Sequence, residues 1–299
     1  MKKVLLRLGV GLLVIVALFY VTLVAPAYGP ESCTFQLDLD KLRALAASMP
    51  GEKPREIRVE HVTSTDFPRA IACAGESWSK VQFRVYAYQL VFADKTIVID
   101  TAMNASQAKE IRMTDGYDEA AWQRVSRGLS QASAAYVTHE HIDHMGGAVA
   151  NESWAGVMHL TPHQLDGKTS NSPAISPAVR AAVKPLEYSG ATVVAPGVVL
   201  IEAAGHTPGS QLVFITRADG TEVVLTGDTA WLMENIEREQ GPAKFVPLMM
   251  GSDRHANSCQ LAALNRIRRD APQVAIMPGH DKAQMQALLD KGVFVVGFK

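Results

Sequence analysis

The stretch Tyr136-Val137-Thr138-His139-Glu140-His141-Ile142-Asp143-His144-Met145-Gly146-Gly147 decides how this chain is read. Three histidines and one aspartate fall within six residues, directly behind an apolar run at 134–137 that reads as a buried strand. Imidazole nitrogens and carboxylate oxygens are the donors that zinc and similar borderline divalent ions accept. One such ion takes about four ligands, so this cluster together with distant partners points to two ions. His139 and His141, two apart at a strand end, can converge on one ion, while Asp143 and His144, beyond the turn, face a second. The Gly146-Gly147 pair lets the following backbone pack closely against the loop.

Outside this stretch, composition bounds the molecule. Its 299 residues, 47% of them hydrophobic, suffice for one large domain with a full core or for two small ones. A formal net charge of -1 with scattered cations leaves no nucleic-acid footprint, so no nucleic-acid partner is expected. No repeat period or extended low-complexity tract is visible. The N-terminus stands apart: Lys2, Lys3 and Arg7 precede an uncharged, largely apolar run at 8–25. Basic residues followed by apolar ones form the pattern of an export signal, oriented with its positive end inside. Ala25-Pro26-Ala27 fits the small-residue cleavage pattern, yet the run is also long enough to span a bilayer. Residues 1–30 therefore read as a signal peptide or as an uncleaved anchor in the inner membrane. Both readings put residues 31–299 outside the cytoplasm, periplasmic or secreted. A Cys33–Cys73 disulfide is permitted in that compartment; the alternative is three free thiols, with Cys259 buried in a helix.

Past a Gly/Pro-containing linker at 28–31, a helix is expected at 39–49, closed by Pro50-Gly51. Strand patterns follow at 56–62, 81–92 and 96–99, the last two about a turn at Ala93-Asp94-Lys95. Helical periodicity at 118–129 begins behind Asp115/Gly116. After the histidine loop come a Ser/Pro/Asn-rich surface loop at 170–177 and strands at 193–201, 211–215 and 222–225. An amphipathic helix at 254–269, a strand at 274–277, a helix at 281–289 and a strand at 293–298 complete the chain. Strands in two groups, each followed by helices, argue for a layered α/β domain.

Three further segments repeat one design, an apolar strand running into glycine and a ligand-type residue. They are Gly205-His206-Thr207-Pro208-Gly209, Thr226-Gly227-Asp228-Thr229 and Pro278-Gly279-His280-Asp281. With the first cluster they supply five histidines and two aspartates, enough for two ions. At this point the sequence resembles the metallo-β-lactamase superfamily of hydrolases: His-Glu-His-Ile-Asp-His fits its H-x-H-x-D-H motif, and the segments follow in its order from about Val81 onward. The resemblance implies an α/β fold, the four-layer αββα sandwich, here preceded by an N-terminal hydrophobic helix. It implies that His139, His141 and His206 hold one metal, that Asp143, His144 and His280 hold the other, and that Asp228 bridges them. The ions would be zinc, with iron or manganese as alternatives. Asp100 matches an early aspartate that supports the histidine loop. The implied chemistry is hydrolysis by hydroxide bound between two ions, with Asp143 accepting or relaying a proton and no serine or cysteine nucleophile. The remaining histidines, His61, His159, His163 and His255, read as surface or core residues, His163 being the one able to reach the cleft.

Within the superfamily, class B β-lactamases lack an aspartate at the position of Asp228, which argues against β-lactam hydrolysis. The nucleic-acid arm of ribonuclease Z-like members and the basic glutathione site of glyoxalase II are not evident, and His141 stands where diiron relatives carry an acidic residue. Acyl-homoserine lactonases share all seven ligands, but they place a tyrosine three residues after the bridging aspartate, where this chain has Trp231. The expected substrate is a small molecule, an ester, lactone or thioester. The alternatives are a class B-like β-lactamase and a non-catalytic, membrane-tethered binding protein on the same fold. Trp231, Leu232, Met233, Phe245, Val246, Leu248, Met249 and Met250 are expected either to wall the cleft for a lipophilic acyl chain or to fill the core.

Overall fold

The computed structural model describes residues 2–26, 29 and 32–299. Of the linker read at 28–31 only Gly29 is among them; Ala27 of the cleavage pattern, Tyr28, Pro30 and Glu31 lie outside the described residues.

The first sheet contains β1 (Glu56–Pro68), β2 (Lys80–Val91), β3 (Thr96–Thr101) and β4 (Ala134–Tyr136). A small parallel pair follows, β5 (His159–Leu160) and β6 (Lys184–Pro185). The second sheet contains β7 (Ala191–Ala195), β8 (Val198–Glu202), β9 (Gln211–Thr216), β10 (Glu222–Leu225) and β11 (Ala275–Met277). The chain then returns as β12 (Val295–Val296) to the free edge of β1. The strand orders are β12-β1-β2-β3-β4 and β11-β10-β9-β8-β7.

The layering follows from side-chain alternation, because successive strand residues point to opposite faces. Along β9, Val213 and Ile215 enter the cluster between the two sheets, while Leu212 and Phe214 face the outer helices. Along β8, Val198 and Leu200 point inward and Val199 and Ile201 outward. On the first sheet, Tyr86, Tyr88 and Ile99 join the same inner cluster, whereas Val85 and Val98 pack with Trp122, Val125 and Leu129 of the helix Glu119–Gln131. The second sheet is covered by the helices Leu39–Ser48 and Arg254–Asp270 through Leu42, Leu261, Leu264 and Ile267. The order of layers is thus helix, sheet, sheet, helix. Each fully buried aliphatic or aromatic side chain contributes about 1.5–3 kcal/mol, so the inner cluster fixes how the strand ends of the two sheets meet.

Several elements differ from the sequence expectations. The apolar run at 193–201 is two strands, since Pro196-Gly197 turns the chain between β7 and β8 with Gly197 at φ +79°. β1 continues to Pro68 past an irregularity between His61 and Thr63. The helix at 119–131 starts from Asp118, whose carboxylate accepts the Ala121 amide at 2.9 Å, rather than from Asp115/Gly116. The loop expected after His141 is a helix, Ile142–Val149. Its glycines carry little helix propensity, but a Cβ at Gly147 would overlap the Thr101 carbonyl of β3, so glycine is what lets this helix lie on the sheet. The cysteine pairing is also corrected. Cys33 is bonded to Cys259, and Cys73 is a buried free thiol, because the 32–38 segment runs along the helix Arg254–Asp270 and not along the loop that carries Cys73.

Candidate metal centre

Five strand ends deliver the ligand-type residues to one edge of the sandwich. β3 carries Asp100 one residue before its end, and β4 leads into His139, His141 and the helix bearing Asp143 and His144. His206 lies between β8 and β9, Asp228 on the turn Gly227–Thr229 after β10, and His280 directly after β11. The parallel pairings of β3 with β4 and of β10 with β11 bring their C-terminal ends side by side. A Cβ at Gly279 would overlap Asp228 Oδ1, so only glycine lets these two turns approach closely enough for His280 to reach that carboxylate.

The side chains form two groups that share Asp228: His139, His141 and His206 on one side, Asp143, His144 and His280 on the other. All seven are buried, and within each group the donor atoms lie within 4.8 Å of one another. His141 Nδ1 stands 3.0 Å from both His139 Nε2 and His206 Nε2. Three nitrogens on a tetrahedral zinc at about 2.0–2.1 Å would be roughly 3.3 Å apart, so this spacing fits a shared cation. On the other side, Asp228 Oδ1 lies 3.1 Å from His280 Nε2 and 3.2 Å from His144 Nε2, and Asp143 Oδ2 lies 3.6 Å from both. His144 Nε2 and Asp228 Oδ1 have no hydrogen-bond partner although fully buried. Such atoms cost about 1–3 kcal/mol each when left unpaired, a cost that coordination removes. Donor chemistry, spacing and these orphan atoms all fit a pair of divalent ions.

The outer partners set ring orientation. Asp100 accepts from the Thr138 amide at 2.6 Å and the Thr138 hydroxyl at 2.9 Å, and its Oδ2 lies 2.8 Å from His144 Nδ1. Its backbone is left-handed, φ +55°, a conformation that costs a non-glycine residue about 1–3 kcal/mol and is held here by those three contacts. His280 Nδ1 donates to the Arg84 carbonyl at 2.9 Å, and its ring stacks on Phe83 with centroids 5.0 Å apart. A ring nitrogen bonded in this way leaves the other free for a metal. Glu140 is fully buried; it accepts from the Thr207 hydroxyl at 2.8 Å and the Gly209 amide at 3.2 Å, tying the His139/His141 turn to the His206 turn. Sequence reasoning passed over Glu140 as the spacer of the motif, although a carboxylate amid ligands and apolar residues was a signal of burial. Trp231 Nε1 donates to Asp228 Oδ2 at 2.8 Å, a role no spacing argument assigned.

The electrostatics separate the two groups. Burial pushes His139 well below the usual histidine range and His206 down to about 3, and it lowers His141 as well. Burial opposes protonation of His144 and His280 too, but the carboxylates of Asp228 and Asp143 outweigh it, with Asp100 adding to the effect at His144, and raise both. Asp228 is held well below the carboxylate range by His280, His144 and His139 despite its burial.

A cleft of about 570 Å³ opens onto His141, Asp143, Asp228 and His280. Phe67, Phe83, Ile111, Met113, Trp231, Val246 and Met250 form its apolar wall, and Thr65, Glu110, Arg112, Asn171 and Ser172 line the rest. Of the eight residues expected to wall it, only Trp231, Val246 and Met250 do so. Leu232 and Phe245 pack behind the wall, Met233 packs toward the second sheet, and Leu248 and Met249 point outward with 76% and 75% of their surface exposed. The four histidines set aside lie elsewhere. His61 bonds Ser64 at 2.8 Å, and His159 stacks on Tyr136. His163 and His255 are exposed. His163 does not reach the cleft, because the helix Pro162–Asp166 turns Gln164 inward instead, to the carbonyls of Val137 and Gly209.

A family model described as the metallo-beta-lactamase superfamily matches residues 82–280. An N-acyl homoserine lactonase of Bacillus thuringiensis is 31% identical over 112 residues, 37% of this chain and 43% of the relative, so the match spans less than half of that enzyme. Among solved structures, a quorum-quenching N-acyl homoserine lactone lactonase superposes with a TM-score of 0.64 at 22% identity, covering 80% of this chain and 97% of the other. An N-acyl homoserine lactone hydrolase with N-hexanoyl-L-homoserine at its catalytic metal centre gives 0.63 at 21% identity, over 79% and 96%. A dizinc quorum-quenching lactonase gives 0.52 at 13% identity, over 80% and 92%. At these identities the superpositions speak for the fold, which is the four-layer sandwich described above. Because the family model runs from β2 to His280 and takes in the whole constellation, the chain belongs to the metallo-β-lactamase superfamily.

Proposed function

We propose that this chain is a membrane-anchored hydrolase of lipophilic acyl lactones or esters, working on the extracytoplasmic side. The observation that carries the reading is the cleft: one wall, aromatic and aliphatic, leads directly to Asp143, Asp228 and His280. The names of the similar proteins, lactonases acting on N-acyl homoserine lactones, support the same substrate class. His139, His141 and His206 would hold one ion, Asp143, His144 and His280 the other, and Asp228 both. Zinc suits this donor set, and iron or manganese would be accommodated by the same nitrogens and oxygens. Two such ions supply an acidified water and a Lewis acid.

The chain's own residues do the rest. Asp143 is 8% exposed and lies in the cleft beside the bridging Asp228, placed to take and pass on a proton. Trp231 fixes the orientation of Asp228 through its indole N–H. Phe67, Phe83 and Met250 offer an acyl chain an apolar wall that excludes water. The anchor reading is supported by the window Arg7–Val24, which is long and apolar enough to cross a membrane and is almost wholly exposed on this chain. The Cys33–Cys259 disulfide supports an oxidising compartment.

The test is kcat/KM of the metal-loaded full chain on N-acyl homoserine lactones from butanoyl to dodecanoyl, beside a thioester, a phosphodiester and a β-lactam. Each added CH₂ that is buried should raise kcat/KM by up to about fourfold until the cleft is full. Turnover confined to the phosphodiester or the β-lactam would overturn the reading, and absence of any turnover would favour a binding protein.

A further inference from the structure

The folded body exposes few large apolar side chains among the described residues, and three of them sit on the two segments that receive the end of the N-terminal helix. Trp78 lies on the loop at 73–79, and Leu248 and Met249 lie on the helix Phe245–Met250; their exposures are 60%, 76% and 75%. Pro26 rests on Gly75 of that loop so closely that a Cβ there would overlap its ring, and Val24 is 3% exposed. Lys244, just ahead of the short helix, donates from Nζ to the Val21 carbonyl at 3.0 Å. That contact has a definite cause. The apolar helix closes in a wide turn in which the Ala25 amide reaches the Tyr20 carbonyl at 2.8 Å. The next carbonyl in this pattern, Val21, would be served by residue 26, a proline without an N–H. An ammonium at a helix C-terminus is favoured by the helix dipole, and on a membrane-crossing helix it belongs where hydrocarbon gives way to water. Leu248 and Met249 follow Lys244 by about one helical turn. The inner side of the same helix supplies Val246 and Met250 to the cleft, and a narrow recess runs from Lys244 past them to His206 and Asp228.

We propose that the helix Phe245–Met250, with Trp78 on the neighbouring loop, is an interfacial element: Leu248 and Met249 rest in the headgroup–acyl boundary of the bilayer crossed by Arg7–Val24. The metal cleft then opens at the membrane surface, and a lipophilic substrate reaches it laterally from the outer leaflet. This inference rests on the anchor reading above and deepens it, because it states which face of the domain meets lipid. A tryptophan and a lysine at the rim are the residues that membrane–water interfaces favour.

The experiment uses the full chain reconstituted in phosphatidylcholine/phosphatidylglycerol vesicles and carrying a bimane label at Met249→Cys, Gln123→Cys or Leu13→Cys, with the unsubstituted chain as blank. The Met249 label should be blue-shifted, quenched by brominated lipid and spared by aqueous iodide, while the Gln123 label shows the reverse. If iodide reaches the Met249 and Gln123 labels equally while the Leu13 label stays protected, the anchor stands and the interfacial helix is overturned. Protection of Met249 from both quenchers would mean that a second copy covers it, and this also overturns the proposal. Iodide access to the Leu13 label would remove the anchor reading and the inference with it. A double variant, Leu248→Glu with Met249→Glu, should lose kcat/KM for the dodecanoyl lactone in vesicles and keep it for the water-soluble butanoyl lactone. Equal kcat/KM on both substrates would overturn lateral access.

Discussion

His139, His141 and His206 meet as three buried imidazoles driven toward the neutral state, whereas His144 and His280 meet two carboxylates that draw protons onto them. Besides its share of Asp228 the first half offers only nitrogen, so an ion there would keep more of its charge and supply the stronger Lewis acid. The second half adds the Asp143 carboxylate to its share of Asp228, with Asp100 behind His144, so an ion there would be more nearly neutralised. The contrast teaches that the two halves are differently specialised although their ligands come from equivalent strand ends. Asp228 is the residue that makes them one site.

The largest effect should come from removing that link. Asp228→Ala should lose both ions by elemental analysis and cut turnover by about 10³-fold or more, since the acidified water and the Lewis acid go together. His280→Ala sharpens the comparison: one ion should remain, held by the three-histidine half. Retention of two ions and full activity in Asp228→Ala would refute the shared-ligand assignment. Next in size, Asp100→Asn should weaken the second half by about 10–100-fold in metal affinity, as for other partners of ligating histidines. Calorimetric titration should find the three-histidine half unchanged. Equal weakening of both would mean that Asp100 supports the whole loop and not His144.

Acid should also separate the halves. In the metal-free protein the raised His144 and His280 hold protons at a higher pH than His139 and His206, whose protonation is pushed down. Protons therefore compete with metal at the second half first as pH falls, and stepwise dialysis should release that ion before the other. Simultaneous release would break the comparison. The smallest effect is expected from Trp231→Phe, which keeps the ring against Phe67 and Phe83 and removes only the hydrogen bond to Asp228. A bond to a charged group contributes about 1.5–3 kcal/mol, part of which a water replaces, so affinity at both halves should fall about tenfold or less. A shift confined to one half would show that Asp228 is not symmetrically shared.

Much of the site was legible in the sequence because metal chemistry narrows the choice of residue, and strand ends followed by glycine advertise where such residues gather. His206, Asp228 and His280 lie far apart in sequence, yet each follows a strand and a glycine, and His139 stands in the dense ligand cluster behind β4. What could not be read depends on contacts between distant segments. Phe67 and Phe83 wall the cleft from the far ends of β1 and β2, where they look like ordinary strand residues. The histidine helix was hidden because two glycines oppose helix formation locally and only the close fit to β3 justifies them. The β7–β8 hairpin was masked by a continuous apolar run, although Pro196-Gly197 marked the turn. Cys259 follows the apolar stripe of its helix and so reads as core, until the 32–38 segment is seen lying against it.

That disulfide closes a ring over a sequence separation of 226 residues, from just behind the apolar helix to the helix covering the second sheet. Its consequence is one of connectivity under attack. A protease that cuts an exposed stretch such as the 170–177 loop breaks the polypeptide, but it frees neither fragment from the other. Everything between Cys33 and Cys259 lies inside the ring, so a single nick there leaves both pieces joined to the N-terminal helix until a thiol reductant opens the crosslink. On the proposed anchor, a single cut between the apolar helix and Cys33 would instead part residues 33–299 from that helix.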